Sequence, residues 1–201
     1  MRVTTEDNVG TINVFTHLKR GRYFTQNFAR IGAMGERAMT VDRIYAMPFY
    51  LGSRTLIDRL AINVTIEVEF SSARIGIYAS LLDKTLPGAL LVDKEVATDT
   101  PGIKEDTTVS VSLSGNRIYW LAFLCEDVIT VKTTRTPPWI LGVHLVENSV
   151  TPEIIQYLYA TQLWIPDEPL PNPFPTLANL SFGSPSTDGD EGPAIWFRTA
   201  P

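Results

Sequence analysis

Residues able to do chemistry are few in this 201-residue chain, and their spacing sets up little of it. Histidine occurs only at His17 and His144, and no H-x-E or H-E-x-x-H spacing puts either beside a second metal ligand. No G-x-S-x-G elbow is present to build a Ser-His-Asp triad on. Glu67 and Glu69 sit two apart on one strand-like run, so both carboxylates point the same way. A glycosidase sets its pair facing each other across a sugar. These two read as a solvated strand face, or as a charged edge that blocks aggregation. Asp188-Gly189-Asp190-Glu191 offers oxygen ligands of the kind calcium prefers, without the longer spacing of a calcium loop, and reads as a polar turn. The expectation is therefore no catalytic residue, no metal and no cofactor.

Binding is better represented. Lys19-Arg20-Gly21-Arg22 is the basic cluster, followed at once by Tyr23 and Phe24. Arginine interleaved with aromatics can stack on bases, but a net charge of −5 lacks the dense basic face that counterion-release binding needs. Nucleic acid is not expected as a partner. Lys19, Arg20, Arg22, Tyr23 and Phe24 are read instead as an attachment site for an acidic neighbouring subunit. Tyr157, Tyr159, Trp164 and Trp139 have flat apolar faces that suit pyranose rings. A core role competes with that for each of them; Tyr157, Tyr159 and Trp164 are kept as candidate glycan or receptor contacts. Loops at Leu81–Lys84, Asp99–Gly102 and Pro166–Pro175 are the places where such contact is expected, since binding concentrates on loops held by a rigid scaffold.

The elements that must position these residues are strands. From Leu60 to Phe70 alternation is unbroken: Leu60, Ile62, Val64, Ile66, Val68 and Phe70 share one face, as period two requires of a half-buried strand. After Ser71-Ser72 the pattern restarts with Ala73, Ile75 and Ile77, which predicts an antiparallel neighbour returning to the same core. Asn116–Cys125 is apolar on both faces and belongs at the centre of a sheet. Cys125 within it fills core volume, and as the one cysteine it can form no intrachain disulfide.

Further strands are expected over Ala38–Phe49, with Met39, Val41 and Tyr45 inward and Pro48 at an edge or strand end, and over Asp93–Val96. Thr107–Leu113, Val128–Val131, Trp139–Val146 and Ala194–Phe197 complete the set. Thr98–Gly102 and Ser114–Asn116 are turns. Glu153–Trp164 carries a helix-start signal at Thr151-Pro152, yet its Ile, Tyr and Trp content favours a strand. Pro166–Pro175 must run extended and stay out of a central sheet. Strands punctuated by turns at this spacing predict an all-β, jelly-roll-like antiparallel sandwich. It would form one domain over residues 38–201, preceded by an extended N-terminal arm over 1–37.

Charged residues make up 19% of the chain, below the roughly 25% usual for soluble domains, which suggests that other subunits cover part of the surface. The longest apolar run, Ile118–Cys125, is far shorter than the roughly 18 residues of a membrane-spanning helix, and the first 30 residues lack a signal-peptide apolar region. No membrane partner is expected.

The order Arg74-Ile75-Gly76-Ile77-Tyr78, Leu86-Pro87-Gly88-Ala89-Leu90-Leu91-Val92-Asp93, Gly102-Ile103-Lys104-Glu105, Leu113-Ser114-Gly115-Asn116 and Tyr119-Trp120-Leu121-Ala122, preceded by Tyr45-Ala46-Met47-Pro48-Phe49, is similar to a β-sandwich module of bacteriophage virion proteins, mostly tail fibres and other appendages. The resemblance spans about Tyr45 to Ala122 and is one of fold, because its glycines and prolines mark turns. It implies a non-enzymatic virion structural protein assembled in the host cytoplasm, a tail-fibre or appendage subunit that could contact a host surface glycan. It also implies a homo-oligomer, with a trimer as first guess, joined to other virion proteins through the arm. A capsid decoration protein and a carbohydrate-binding module are the alternatives.

Overall fold

The structure, a computed structural model, describes residues 18–25, 34–81, 86–134, 157–160, 168–175, 180–183 and 191–201. Among these residues there is no helix. The strands are β1 (Tyr23–Thr25), β2 (Met34–Ala38), β3 (Tyr45–Leu51), β4 (Thr55–Ile66), β5 (Ser72–Ser80), β6 (Pro87–Ala97) and β7 (Gly102–Asp106), then β8 (Val111–Leu113), β9 (Arg117–Cys125), β10 (Thr130–Thr134), β11 (Tyr157–Ala160), β12 (Leu180–Gly183), β13 (Gly192–Pro193) and β14 (Trp196–Thr199). They pair antiparallel in two sheets that form a sandwich, as the alternation predicts.

One sheet runs β12-β11-β3-β9-β5-β6. Its centre is the doubly apolar strand: Tyr119 to Cys125 are all buried. Tyr119, Leu121, Phe123 and Cys125 point into the core between the sheets with Tyr45, Met47 and Phe49 of β3 and Ile75 and Ile77 of β5. Trp120, Ala122 and Leu124 point the other way, into a second cluster on the outer face. Pro48 stands opposite Trp120 within β3, and β11 pairs only with Tyr45 and Ala46. Among the described residues β11 therefore places no ladder bond at Pro48 that its missing N–H could break.

The other sheet is built on β4, whose 12 residues serve two strands along each edge. β14 and then β10 lie along one edge, β8 and then β7 along the other. β10 shifts register at Thr130/Val131 as it leaves β4, and β13 pairs with it beyond that point, so the sheet curls strongly. Ile57, Leu60, Ile62 and Val64 face the shared core, which Ile129, Val131, Ile195 and Phe197 close from this side.

Several expectations need correcting. β4 and β5 share a core but not a sheet, for β5 pairs with β9 and β6. The predicted hairpin is an arch between layers. Its crossing is tight: Ser71 N–H donates to Val68 C=O at 3.2 Å, and Phe70 has φ of 61°. Thr98 N–H donates to Ser71 C=O at 2.8 Å and Ser72 N–H to the Glu126 carboxylate at 2.8 Å, which ties the crossing to the second sheet. Beyond Val64 the apolar face breaks up: Ile66 is 59% and Phe70 90% exposed, while Val68 still packs, partly buried, against the core. Ala38 and Tyr45 belong to two strands, β2 and β3, and Asp93–Val96 is the second half of β6. Val128 is exposed, since the strand begins at Thr130. Thr107–Leu113 is a strand only over Val111–Leu113.

Other expectations hold. Tyr157–Ala160 is a strand, paired with β12 and β3. Gly102 takes φ of 109° in its turn, and Cys125 is fully buried. The Trp139–Val146 strand and the Thr151-Pro152 signal lie outside the described residues.

Residues 168–175 of the proline-rich segment stay out of the sheets, as expected, but they are no free loop. They strap the outer face of the six-stranded sheet, burying Leu170 and Phe174 against Tyr78 and Trp120. Tyr78 Oη donates to Pro171 C=O at 2.8 Å, and the Phe174 ring meets the Tyr78 ring edge-on at 5.0 Å. Phe174 N–H donates to Gly88 C=O at 2.9 Å, and Leu90 N–H to Asn172 Oδ1 at 3.1 Å. Residue 76 lies closely packed beneath the strap: a Cβ there would sit 2.5 Å from Leu170 Cδ1 of the strap and 2.6 Å from the Val92 backbone O of β6.

Two outcomes are expected. Gly76→Ala lowers stability by about 1–3 kcal/mol through overpacking, read as a lower urea midpoint at constant slope; an unchanged midpoint contradicts the strap geometry. Burial pushes the Cys125 thiol from 9.0 up to about 12. Its stabilising contribution is then complete below pH 9 and lost as pH rises toward 12. Native protein should resist thiol alkylation at pH 8, and Cys125→Ala should flatten the alkaline fall in stability.

Candidate functional site

The basic cluster is a fixed turn. Gly21 takes φ of 66°, a left-handed conformation that glycine adopts without penalty. Around it, Gly21 N–H donates to Thr199 C=O at 2.9 Å, Thr199 N–H to Arg22 C=O at 3.1 Å, and Thr199 Oγ1 to Lys19 C=O at 2.8 Å. The chain then enters β1, which pairs with β14 in the register Tyr23↔Arg198, Phe24↔Phe197 and Thr25↔Trp196. Residues 18–25 and 34–37 of the segment expected as an arm thus run along the larger sheet.

The five attachment candidates divide by strand parity. Lys19, Arg20 and Arg22 are exposed. Tyr23 faces outward and its hydroxyl donates to the Glu105 carboxylate. Phe24 turns inward, its ring 5.9 Å from that of Phe197 at the edge of the core. Across the outer face, Arg59 pairs with Glu105 at 2.9 Å, and Arg198 grips Asp58 with two hydrogen bonds. The Arg198 hydrogen bond holds the Asp58 carboxyl below its ordinary range against the opposing effect of burial.

Beside the basic turn, the structure opens a groove of about 570 Å³. Arg20 and Arg54 both line it, together with Ser53, Thr55, Ser112 and Thr199. The Arg54 wall is held from behind. A Cβ on Gly115 would lie 2.6 Å from Ser53 Cα, so the 114–116 turn packs directly on the 52–54 turn. Arg54 Nε donates to Ser112 Oγ at 2.9 Å. Among the described residues no acidic side chain lines the groove. Leu56, 47% exposed, supplies an apolar strip. Sequence reading found Arg20 but not Arg54 or Ser112, because only the β4–β8 pairing of Leu56 with Ser112 brings these segments together.

Of the aromatic candidates, Tyr159 alone has a described side chain. Tyr159 is half-buried, its ring 6.4 Å from that of Tyr45 and covered by the Arg43 guanidinium at 4.5 Å. Tyr157 is a residue of β11. Trp164, Trp139, His17, His144 and Asp188–Asp190 lie outside the described residues. Glu191 is engaged, accepting from Thr133 Oγ1 at its carboxylate and from Arg37 at its carbonyl. Glu67 and Glu69 are exposed beyond the end of β4. Among the described residues no three His, Cys, Asp or Glu side chains form a metal-holding group. Compared with known protein families and with curated protein sequences, the chain finds no match in either.

Proposed function

We propose that this chain is a non-enzymatic structural subunit of a bacteriophage particle, most simply a tail-fibre or appendage subunit. The observation that supports this reading is spatial. The segments similar to phage virion sandwiches, Arg74–Tyr78, Leu86–Asp93 and Tyr119–Ala122, lie in β5, β6 and β9, which are adjacent strands of one sheet. Tyr45–Phe49 completes the same sheet in β3, against β9. The other two similar segments, Gly102–Glu105 and Leu113–Asn116, fall in β7 and at the end of β8, on the β4 sheet, so the similar residues draw on both layers of the sandwich. Attachment falls to the exposed Lys19 and Arg22 of the anchored turn, which would meet an acidic surface on a neighbouring virion protein.

Quantitative mass spectrometry of purified particles tests the reading. A fibre or appendage subunit is expected at tens of copies per particle. Hundreds would move the protein to the capsid surface as a decoration protein, and absence from particles would overturn the proposal. Lys19→Ser with Arg22→Ser should leave the purified protein folded yet lower its incorporation; undiminished incorporation would remove the attachment role from the turn.

A further inference from the structure

The groove between Arg20 and Arg54 has a composition that the attachment reading does not use. Among the described residues Arg59, Arg74 and Arg198 are each ion-paired to carboxylates. Arg20 and Arg54 meet none there. Arg54 is also aimed: its Nε is bound to Ser112 Oγ, which leaves the two terminal nitrogens of the guanidinium fork to a ligand. Arg20 is carried by a turn that three hydrogen bonds fix to Thr199. Among the described residues the lining thus holds two cations and no carboxylate side chain, with Ala200 and Pro201 beside them.

Size and lining narrow the ligand. A simple inorganic anion would fill little of about 570 Å³, a volume in the range of small-molecule sites. The remaining walls carry the Ser53 and Ser112 hydroxyls, which keep a proton to donate, whereas the Thr55 and Thr199 hydroxyls already donate to the Ser53 and Lys19 carbonyls. That matches a ligand rich in hydroxyls, while the exposed Leu56 suits the C–H face of a ring. A peptide adding as a strand finds no place here. The Leu56 carbonyl already accepts from Ala200 N–H at 2.9 Å, and β8 occupies the other edge of β4 at Leu56. We propose that this groove binds an anionic saccharide, its acid group between Arg20 and Arg54 and its hydroxyls on Ser53 and Ser112.

The test is a two-dimensional NMR titration of the full chain in 150 mM salt with three probes: a disaccharide bearing a uronic carboxylate, one bearing a sulfate ester, and a neutral disaccharide. The charged sugars should shift amides confined to 18–20, 53–56, 112 and 199–200, and the neutral one should not. Comparing the two charged arms identifies the acid group. Arg20→Gln and Arg54→Gln should each weaken binding at least about tenfold, as loss of a charge-assisted hydrogen bond implies. Lys132→Gln, far from the groove on β10, should leave it unchanged. Equal binding of the neutral sugar, no shift with either charged sugar, or equal loss in Lys132→Gln would overturn the site. So would displacement of the sugar by a glutamate-rich peptide at lower concentration, which would assign the groove to a protein partner. Should Arg54→Gln disturb folding, Arg20→Gln carries the comparison. This measurement needs no particle, so its failure and the failure of the virion reading are separate results.

Discussion

Burial of β9 on both faces is the constraint from which the architecture follows. A strand whose side chains from Tyr119 to Cys125 all leave water needs a layer above it and a layer below it. One is the curled sheet on β4, which meets Leu121, Phe123 and Cys125. The other is too small to be a sheet. It is the proline-rich strap, whose Leu170 and Phe174 cover Tyr78 and Trp120. Fully burying a large apolar side chain contributes about 1.5–3 kcal/mol, so these few residues matter on the scale of a domain's net stability. Proline suits the strap because a segment crossing a face, instead of joining an edge, has no ladder to supply.

This arrangement explains which parts of the fold were legible in the sequence. Period two reports which face of a strand is buried, and Leu60, Ile62, Val64, Ala73, Ile75 and Ile77 all reach the predicted core. It does not report the neighbour. An arch and a hairpin bury the same alternating residues, and the choice here rests on Thr98 and Glu126 gripping Ser71 and Ser72 from 27 and 54 residues away. Phe70 looked like one more core residue because the pattern continues through the point where the strand ends. Its left-handed backbone takes it out of register. The double-sided character of β9 needed no partner to be read, since apolar residues at both parities say it directly.

The candidate site divides along the same line. The basic turn was legible because Lys19, Arg20 and Arg22 are local in sequence and flank a glycine. Phe24 was misjudged beside them, as its inward direction depends on pairing with Phe197. Arg54 and Ser112 carry no local signature; their juxtaposition exists only after β4 and β8 have paired. Leu170 and Phe174 were hidden differently, within a composition that ordinarily marks solvent-exposed linkers.

The seating of β1 on β14 and of β14 on β4 has a mechanical side. A pull on the polypeptide ahead of β1 meets first the Gly21 turn, whose hydrogen bonds to Thr199 must yield before the ladder from Tyr23–Thr25 to Trp196–Arg198 is loaded. The next ladder, from β14 to β4, lies in the same direction and carries the tug inward to the longest strand of the domain. A body anchored in this manner resists being peeled from its mooring.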